Sequence, residues 1–273
     1  ATIDVVFLGA PLAMGDDAAV RWIQRAAGCV AGLFGAFPTD VTVFVVPVAG
    51  AREVVFGRVM SLSGASVVLL FGAETRPESQ RDDWVVVHEL FHLGCPSFEG
   101  EGRWLEEGLA TYYEPILRAR VGWTSREDLW AHFVHEMPRG LRSDDEPAAL
   151  EARDDIDGTY WGGALFAFLA DVSIREQTAG ARSLDDVLRA VLSRAGDATH
   201  VARVADFVRI ADEATGTRAV AAVYDAWALH GKAGDLTDLW RRLGVETVER
   251  GVSLVPDAPL SGVRRAIETG SAH

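Results

Sequence analysis

The residues best suited to chemistry in this chain are two histidines and a glutamate in residues 85–94, which read Val-Val-Val-His-Glu-Leu-Phe-His-Leu-Gly. The stretch is apolar and contains no proline, so it is predicted to be helical. Because a helix repeats about every 3.6 residues, His88 and His92 fall on one face, one turn apart. Two imidazoles placed in this way can bind one zinc ion, and Glu89 projects beside them to exchange a proton with water. The alternative interpretation is a core helix that carries two hydrogen-bonded histidines.

A zinc ion that acts on a substrate usually has three protein ligands, so a third ligand is required. A metzincin would have glycine and histidine at positions 95 and 98, but the chain has Cys95 and Phe98 there, which excludes that class. Residues 103–113 form a second predicted helix with two acids, Glu106 and Glu107. Neighbouring residues on a helix point about 100° apart, so only one of these acids can face the ion. Cys95, just after the first helix, is a further candidate ligand.

The second predicted helix, residues 103–113, resembles a segment of a known enzyme family. Residues 104–110, Trp-Leu-Glu-Glu-Gly-Leu-Ala, closely resemble the Trp-x-x-Glu-Gly-x-Ala/Thr signature of the gluzincin zinc metallopeptidases. In that family the acid directly before the glycine binds the metal. The resemblance therefore implies a zinc site of His88, His92 and Glu107, with Glu106 as the competing candidate.

A third block, residues 157–165, is similar to the Tyr-x-Lys-Gly-Ala segment of the aminopeptidase branch, with Gly162 in place of the lysine. The resemblance implies that the Tyr160 hydroxyl stabilises the oxyanion that forms during hydrolysis. Across about residues 80–265 the chain resembles the catalytic domain of the glycyl aminopeptidase-like family.

The same resemblance implies an edge strand that pairs with the substrate backbone, and aminopeptidases place there an acid that captures the free amine. Residues 61–66, on the strand predicted just before the zinc helix, contain Gly64 and Ala65 but no acid. The nearest acids are Glu53 and Glu74, on either side of this region. The sequence therefore leaves open whether the protein is an exopeptidase or an endopeptidase.

The elements that must position these residues are predicted from hydrophobic periodicity and turn signals. Strands are expected at 2–9, 41–48, 54–60, 66–71 and 251–255, and helices at 16–34, 125–136, 159–177, 183–194, 199–214, 218–229 and 235–243, with one more at the end. Pro115 predicts a kink or restart in the acidic helix. The expected fold is α+β, a zincin (thermolysin-like) catalytic domain spanning residues 1–273. Its small mixed sheet and zinc helix form lobe 1–97, lobe 98–273 is mainly helical, and the active-site cleft lies between them.

Composition limits the classes of molecule that we expect the protein to bind. The chain has a formal net charge of −14, which argues against nucleic-acid and anionic-membrane partners. No apolar run reaches the ~20 residues of a membrane span. The expected partner is a peptide or protein substrate. The chain begins with Ala1 rather than methionine, which fits either a cleaved leader or a trimmed start. A secreted or periplasmic (cell-envelope) location is expected, with the cytoplasm as the alternative.

The cysteines, the acidic connection and two further histidines are not assigned to the zinc site. Cys29 and Cys95 form either one disulfide or two buried thiols. The acidic connection 139–158 is expected to be a solvated loop, with a calcium site as the minority alternative. His132 and His135 are expected to be surface or capping residues.

Two functions follow. The first is zinc-dependent hydrolysis of peptide bonds by metal-activated water, with Glu89 as general base. The alternative is an inactive gluzincin-like binding module that retains the fold.

Overall fold

The computed structural model describes residues 1–61, 64–100, 102–141 and 149–270. The chain divides into two compact units, one of residues 1–97 and 195–201 and the other of residues 98–194 and 202–273. No helix among the described residues has the length and apolar character that a membrane span requires.

The first unit is built on a mixed four-stranded sheet. Its elements are β1 (Ile3–Phe7), α1 (Asp16–Phe34), β2 (Val41–Val48), β3 (Val54–Met60), β4 (Ala65–Gly72) and α2 (Val85–His92). The strand order is β1-β2-β4-β3, in which β1, β2 and β4 are parallel and β3 runs antiparallel at one edge. The strands predicted at 41–48 and 54–60 and the helix predicted at 16–34 are confirmed at both ends.

The edge of this sheet is not where the sequence placed it. The strand just before α2 is β4, which is paired on both sides, so the edges of the sheet are β1 and β3. The edge strand beside α2 is β3. Residues 62 and 63, part of the Ser/Gly stretch assigned to that edge, lie outside the described residues. Pro47 also lies in an inner strand, which it can do because β1 pairs with β2 only as far as Val45.

Helix α2 is short and almost wholly buried. Its first turn is capped by Asp83, whose carboxylate accepts a hydrogen bond of 3.1 Å from the Val86 amide. Just beyond its end, Gly94 leaves room for α1, since a Cβ there would lie 2.2 Å from the ring of Phe34. Packing on α1 and β3 therefore holds a helix too short to be stable alone.

The second unit is mainly helical. Its longer helices are α3 (Arg103–Arg120), α4 (Arg126–Glu136), α5 (Gly163–Gln177), α6 (Leu184–Ala195), α7 (Val204–Thr215), α8 (Ala219–Val223), α9 (Leu236–Leu243) and α10 (Ser261–Thr269). The short strands along the chain are β5 (Ser97–Phe98), β6 (Val201–Ala202), β7 (Val245–Thr247) and β8 (Val252–Leu254), the last two forming a hairpin. Two π-helical segments, Gly158–Gly162 and Tyr224–Leu229, precede α5 and follow α8.

Helix α3 corrects the prediction made from Pro115. The helix runs unbroken through this proline, although proline removes one backbone hydrogen bond. The turn before it is fixed by two buried tyrosines, because the hydroxyl of Tyr112 donates to Asp171 at 3.0 Å and that of Tyr113 donates to Asp185 at 2.8 Å. Tertiary packing thus outweighs the local cost of the proline.

Other helix boundaries differ by a few residues. Ser125 is the N-cap of α4, since its hydroxyl accepts from the Asp128 amide at 3.0 Å. Helix α7 begins at Val204 rather than at 199, after the short strand β6. Of the acidic connection, residues 142–148 lie outside the described residues, and with them Asp144, Asp145 and Glu146 of its acidic run.

Candidate metal centre

The two histidines lie together on α2, as the spacing predicted. Their ring centroids are 4.9 Å apart, with the planes nearly perpendicular. His88 is 3% exposed and His92 is 8% exposed. The indole of Trp84 lies edge-on against His88 at 5.3 Å and limits the rotation of that ring. The pair is therefore buried and held in a narrow range of orientations.

Glu89 lies beside the edge strand of the sheet. A Cβ on Gly57 of β3 would lie 2.3 Å from Cγ of Glu89 and 2.9 Å from its carboxyl carbon. Any side chain at position 57 would therefore displace the glutamate. The glycine in β3, unusual inside a strand, explains how the carboxylate can lie close to the backbone there.

Glu107 lies on the first turns of α3, within a small polar cluster. The Nε atom of Arg103 is 3.6 Å from the Glu107 carboxylate, whose side chain is 16% exposed. The Tyr160 hydroxyl interacts with both Glu107 and Arg103. Burial, and then the negative charge of Glu107, raise the pKa of Tyr160 above its usual value, although Arg103 opposes the shift. Tyr160 therefore stays protonated at neutral pH and can donate a hydrogen bond.

A contact between two glycines brings Glu107 and Tyr160 together. A Cβ on Gly108 would lie 2.2 Å from the carbonyl carbon of Gly163, and one on Gly163 would lie 2.0 Å from the carbonyl oxygen of Trp104. Helices α3 and α5 therefore cross with their backbones in contact. Each glycine lies close in sequence to the polar residue that it helps to place.

The π-helical segment that carries Tyr160 is fixed at both ends. At its start, the Asp155 carboxylate accepts a hydrogen bond of 2.7 Å from the Gly158 amide. At its end, the buried Trp227 indole N–H donates to the Gly162 carbonyl at 2.9 Å. Wide helical turns of this kind often occur at functional sites. Here the turn is stabilised by hydrogen bonds from outside its own helix.

The structure contains one group of side chains able to hold a metal ion, among the residues that it describes. His88, His92 and Glu107 each offer one ligand atom, and these atoms all lie within 4.8 Å of one another. Two imidazole nitrogens and one carboxylate oxygen form a donor set that suits zinc, since three protein ligands are usual at a catalytic zinc. The donor set therefore fits the predicted ion.

The competing ligands are placed elsewhere. Glu106 accepts a hydrogen bond of 3.4 Å from the Phe98 amide and does not belong to the group. Cys95 is also outside this group. Both Cys95 and Cys29 are buried thiols, which is one of the two states predicted for them from the sequence.

The prediction for the two histidines outside the centre is confirmed. His132 is exposed, although its ring lies 5.3 Å from that of Trp161. Partial desolvation by its neighbours lowers the pKa of His132. His135 is also exposed.

Sequence reasoning missed three contributors to this centre. Arg103 precedes Glu107 by one helical turn, a spacing that places the two side chains on one face. Gly57 and Gly163 were visible as glycines inside a strand and at the start of a helix, where glycine is costly and often marks a close backbone approach.

Comparison with known proteins establishes the fold alone. No protein-family model matches the chain, and no curated protein matches its sequence. Among solved structures, an aminopeptidase N family protein from Idiomarina loihiensis is similar, with a TM-score of 0.62 and 17% identity over 94% of this chain and 51% of that one. An M1 zinc metallopeptidase from Deinococcus radiodurans gives a TM-score of 0.49 and 15% identity over 81% of this chain and 47% of that one. The chain thus spans about half the length of either solved protein.

Proposed function

We propose that this protein hydrolyses peptide bonds with a zinc ion held by His88, His92 and Glu107. The observation that carries the proposal is the convergence of these three ligand atoms within 4.8 Å of one another. The fold shared with an aminopeptidase N family protein supports it. A buried pair of histidines in a purely structural core would not require a carboxylate at the same place.

Each side chain has a defined part in the reaction. When bound, zinc supplies a Lewis acid that acidifies water and polarises the scissile carbonyl. Glu89 accepts the proton of the attacking water and then donates a proton to the departing amine. Tyr160 donates its hydroxyl proton in a hydrogen bond to the carbonyl oxygen as negative charge develops there. The close contact with Gly57 fixes the position from which Glu89 exchanges protons.

The experiment is cleavage of a quenched-fluorescent peptide library by the purified protein. Hydrolysis should stop when a chelator removes zinc and should return when zinc is added. Glu89→Gln should bind zinc as the wild type does and lose hydrolysis, because an amide cannot accept the proton. Glu107→Gln should bind zinc weakly, whereas Glu106→Gln, at the adjacent acid, should keep both zinc and activity.

Two results would contradict the proposal. Full hydrolysis by Glu89→Gln would remove the general base from the mechanism. Stoichiometric zinc with no cleavage of any peptide would instead favour the inactive binding module.

A further inference from the structure

The position of Arg103 is not explained by the stability of its helix. It is the first residue of α3, at the end of the helix dipole that favours negative charge. Its ion pair with Glu107 also has the less favourable order, with the cation on the N-terminal side of the acid. Because Arg103 does not stabilise α3 at this position, we look to the site itself for its role.

The guanidinium of Arg103 is only partly used by the contacts within the protein. It lies 3.6 Å from the Glu107 carboxylate and also interacts with the Tyr160 hydroxyl. Its side chain is nevertheless 71% exposed. A guanidinium has five N–H donors in a planar fork that matches the two oxygens of a carboxylate. Arg103 can therefore bind a second carboxylate from solvent without giving up its contacts with Glu107 and Tyr160.

The edge strand β3 contains no acidic side chain that could bind the free amine of a substrate. Its sequence is Val-Val-Phe-Gly-Arg-Val-Met. Its one charged residue is Arg58, a second cation. The charged side chains of β3 therefore give no reason to expect recognition of a free amino group.

We infer that Arg103 binds a carboxylate of the substrate and makes the protein selective for peptides with a negative charge near the scissile bond. This inference rests on the proposed peptide hydrolysis. The carboxylate can come from an Asp or Glu side chain or from the C-terminus of a short peptide. Both sources present the same pair of oxygens to the guanidinium.

The test compares matched quenched-fluorescent peptides on the zinc-loaded protein. The parent peptide is neutral and amidated, one set carries a single Glu at successive positions, and a third arm has a free C-terminal carboxylate. The wild type should cleave an acidic peptide with a kcat/KM roughly 10- to 100-fold above its neutral match, as expected for a charge-assisted hydrogen bond. The favoured arm identifies the source of the carboxylate.

Variants of Arg103 then separate recognition from catalysis. Arg103→Gln should bring the acidic-to-neutral ratio of kcat/KM close to one. The ratio is the readout because Arg103 also contacts Glu107 and Tyr160, so the rates with both peptides can fall together without changing it. Arg103→Glu should shift the preference towards peptides with Lys in place of Glu. Arg203→Gln is the matched control, because Arg203 is 69% exposed and also pairs with an acid, Asp206, three residues further along the chain. It should leave the ratio unchanged.

Failure of this inference can be told apart from failure of the proposed function. If the wild type cleaves peptides without preferring acidic ones, or if Arg103→Gln keeps the preference, the role of Arg103 is wrong and peptide hydrolysis stands. If the zinc-loaded wild type cleaves no peptide of any charge, both proposals fall.

Discussion

Gly108 and Gly163 meet backbone to backbone where α3 crosses α5, so closely that a Cβ on Gly108 would lie 2.2 Å from the carbonyl carbon of Gly163. This contact fixes the distance between the helix that carries Glu107 and the segment that carries Tyr160. The two polar residues are neighbours because the two glycines have no side chains.

Gly108→Ala should therefore destabilise the protein and weaken its chemistry together. We expect a loss of about 1–3 kcal/mol in the free energy of unfolding, because the added methyl group must push two backbones apart. Peptide hydrolysis should fall as Glu107 and Tyr160 separate. Thermal and denaturant unfolding, with hydrolysis measured on the folded variant, check both effects.

Gly28→Ala is the control for this prediction. Gly28 also lies inside a helix, α1, but nothing lies within 4 Å of the position of its Cβ. Alanine there should stabilise the protein by about 1 kcal/mol, through helix propensity alone. Equal behaviour of the two variants would contradict the proposed role of the glycine contact.

Tyr160→Phe should lower kcat and leave zinc binding intact. Removal of one donor to a developing oxyanion typically costs about 10²- to 10³-fold in turnover. Tyr224→Phe serves as the control, because the Tyr224 hydroxyl donates to the carboxylate of Glu151. This variant should keep its turnover. Steady-state kinetics and metal analysis of both variants check the prediction, and an unchanged kcat in Tyr160→Phe would contradict it.

Asp155 should give the protein a defined acid sensitivity. Hydrogen bonds from the Arg153 guanidinium, aided by one from the Gly158 amide, lower the pKa of Asp155 to about 2. A carboxyl group whose pKa is lower in the folded state contributes stability above its unfolded pKa of about 3.9 and loses that contribution as the pH falls through its folded pKa. The contribution should therefore be complete above about pH 4 and disappear towards pH 2.

Unfolding of the wild type and Asp155→Asn between pH 6 and pH 2 tests this window. The wild type should be the more stable above pH 4, and the difference should shrink as the pH falls to 2. Asp154→Asn, at the exposed neighbouring carboxylate, removes a charge without removing these hydrogen bonds and controls for net charge. A difference between wild type and Asp155→Asn that stays constant down to pH 2 would contradict the assignment.

Local sequence patterns were enough to predict the elements that carry the candidate centre. The apolar, proline-free run around His88 and His92 predicts a buried helix, and the i, i+4 spacing predicts that the two rings lie on one face. The strands of the first unit followed from short runs of β-branched and apolar residues. These features depend on periodicity, which is a property of each segment by itself.

What could not be predicted depends on contacts between distant segments. Pro115 does not break α3, because buried hydrogen bonds of Tyr112 and Tyr113 hold the helix from outside. The edge strand was assigned wrongly, because strand order is set by pairing and not by position in the chain. The support of the Tyr160 segment by Trp227, 65 residues away, has no local signal either.

The central claim is that His88, His92 and Glu107 bind one zinc ion, and anomalous X-ray diffraction at the zinc edge tests it most directly. Crystals of the wild type grown with zinc should show one strong peak about 2.0–2.2 Å from a nitrogen of each histidine and from a carboxylate oxygen of Glu107. Glu107→Gln crystals should show the peak at much lower occupancy. A peak held by other side chains, or none within bonding distance of the two histidines, would contradict the account.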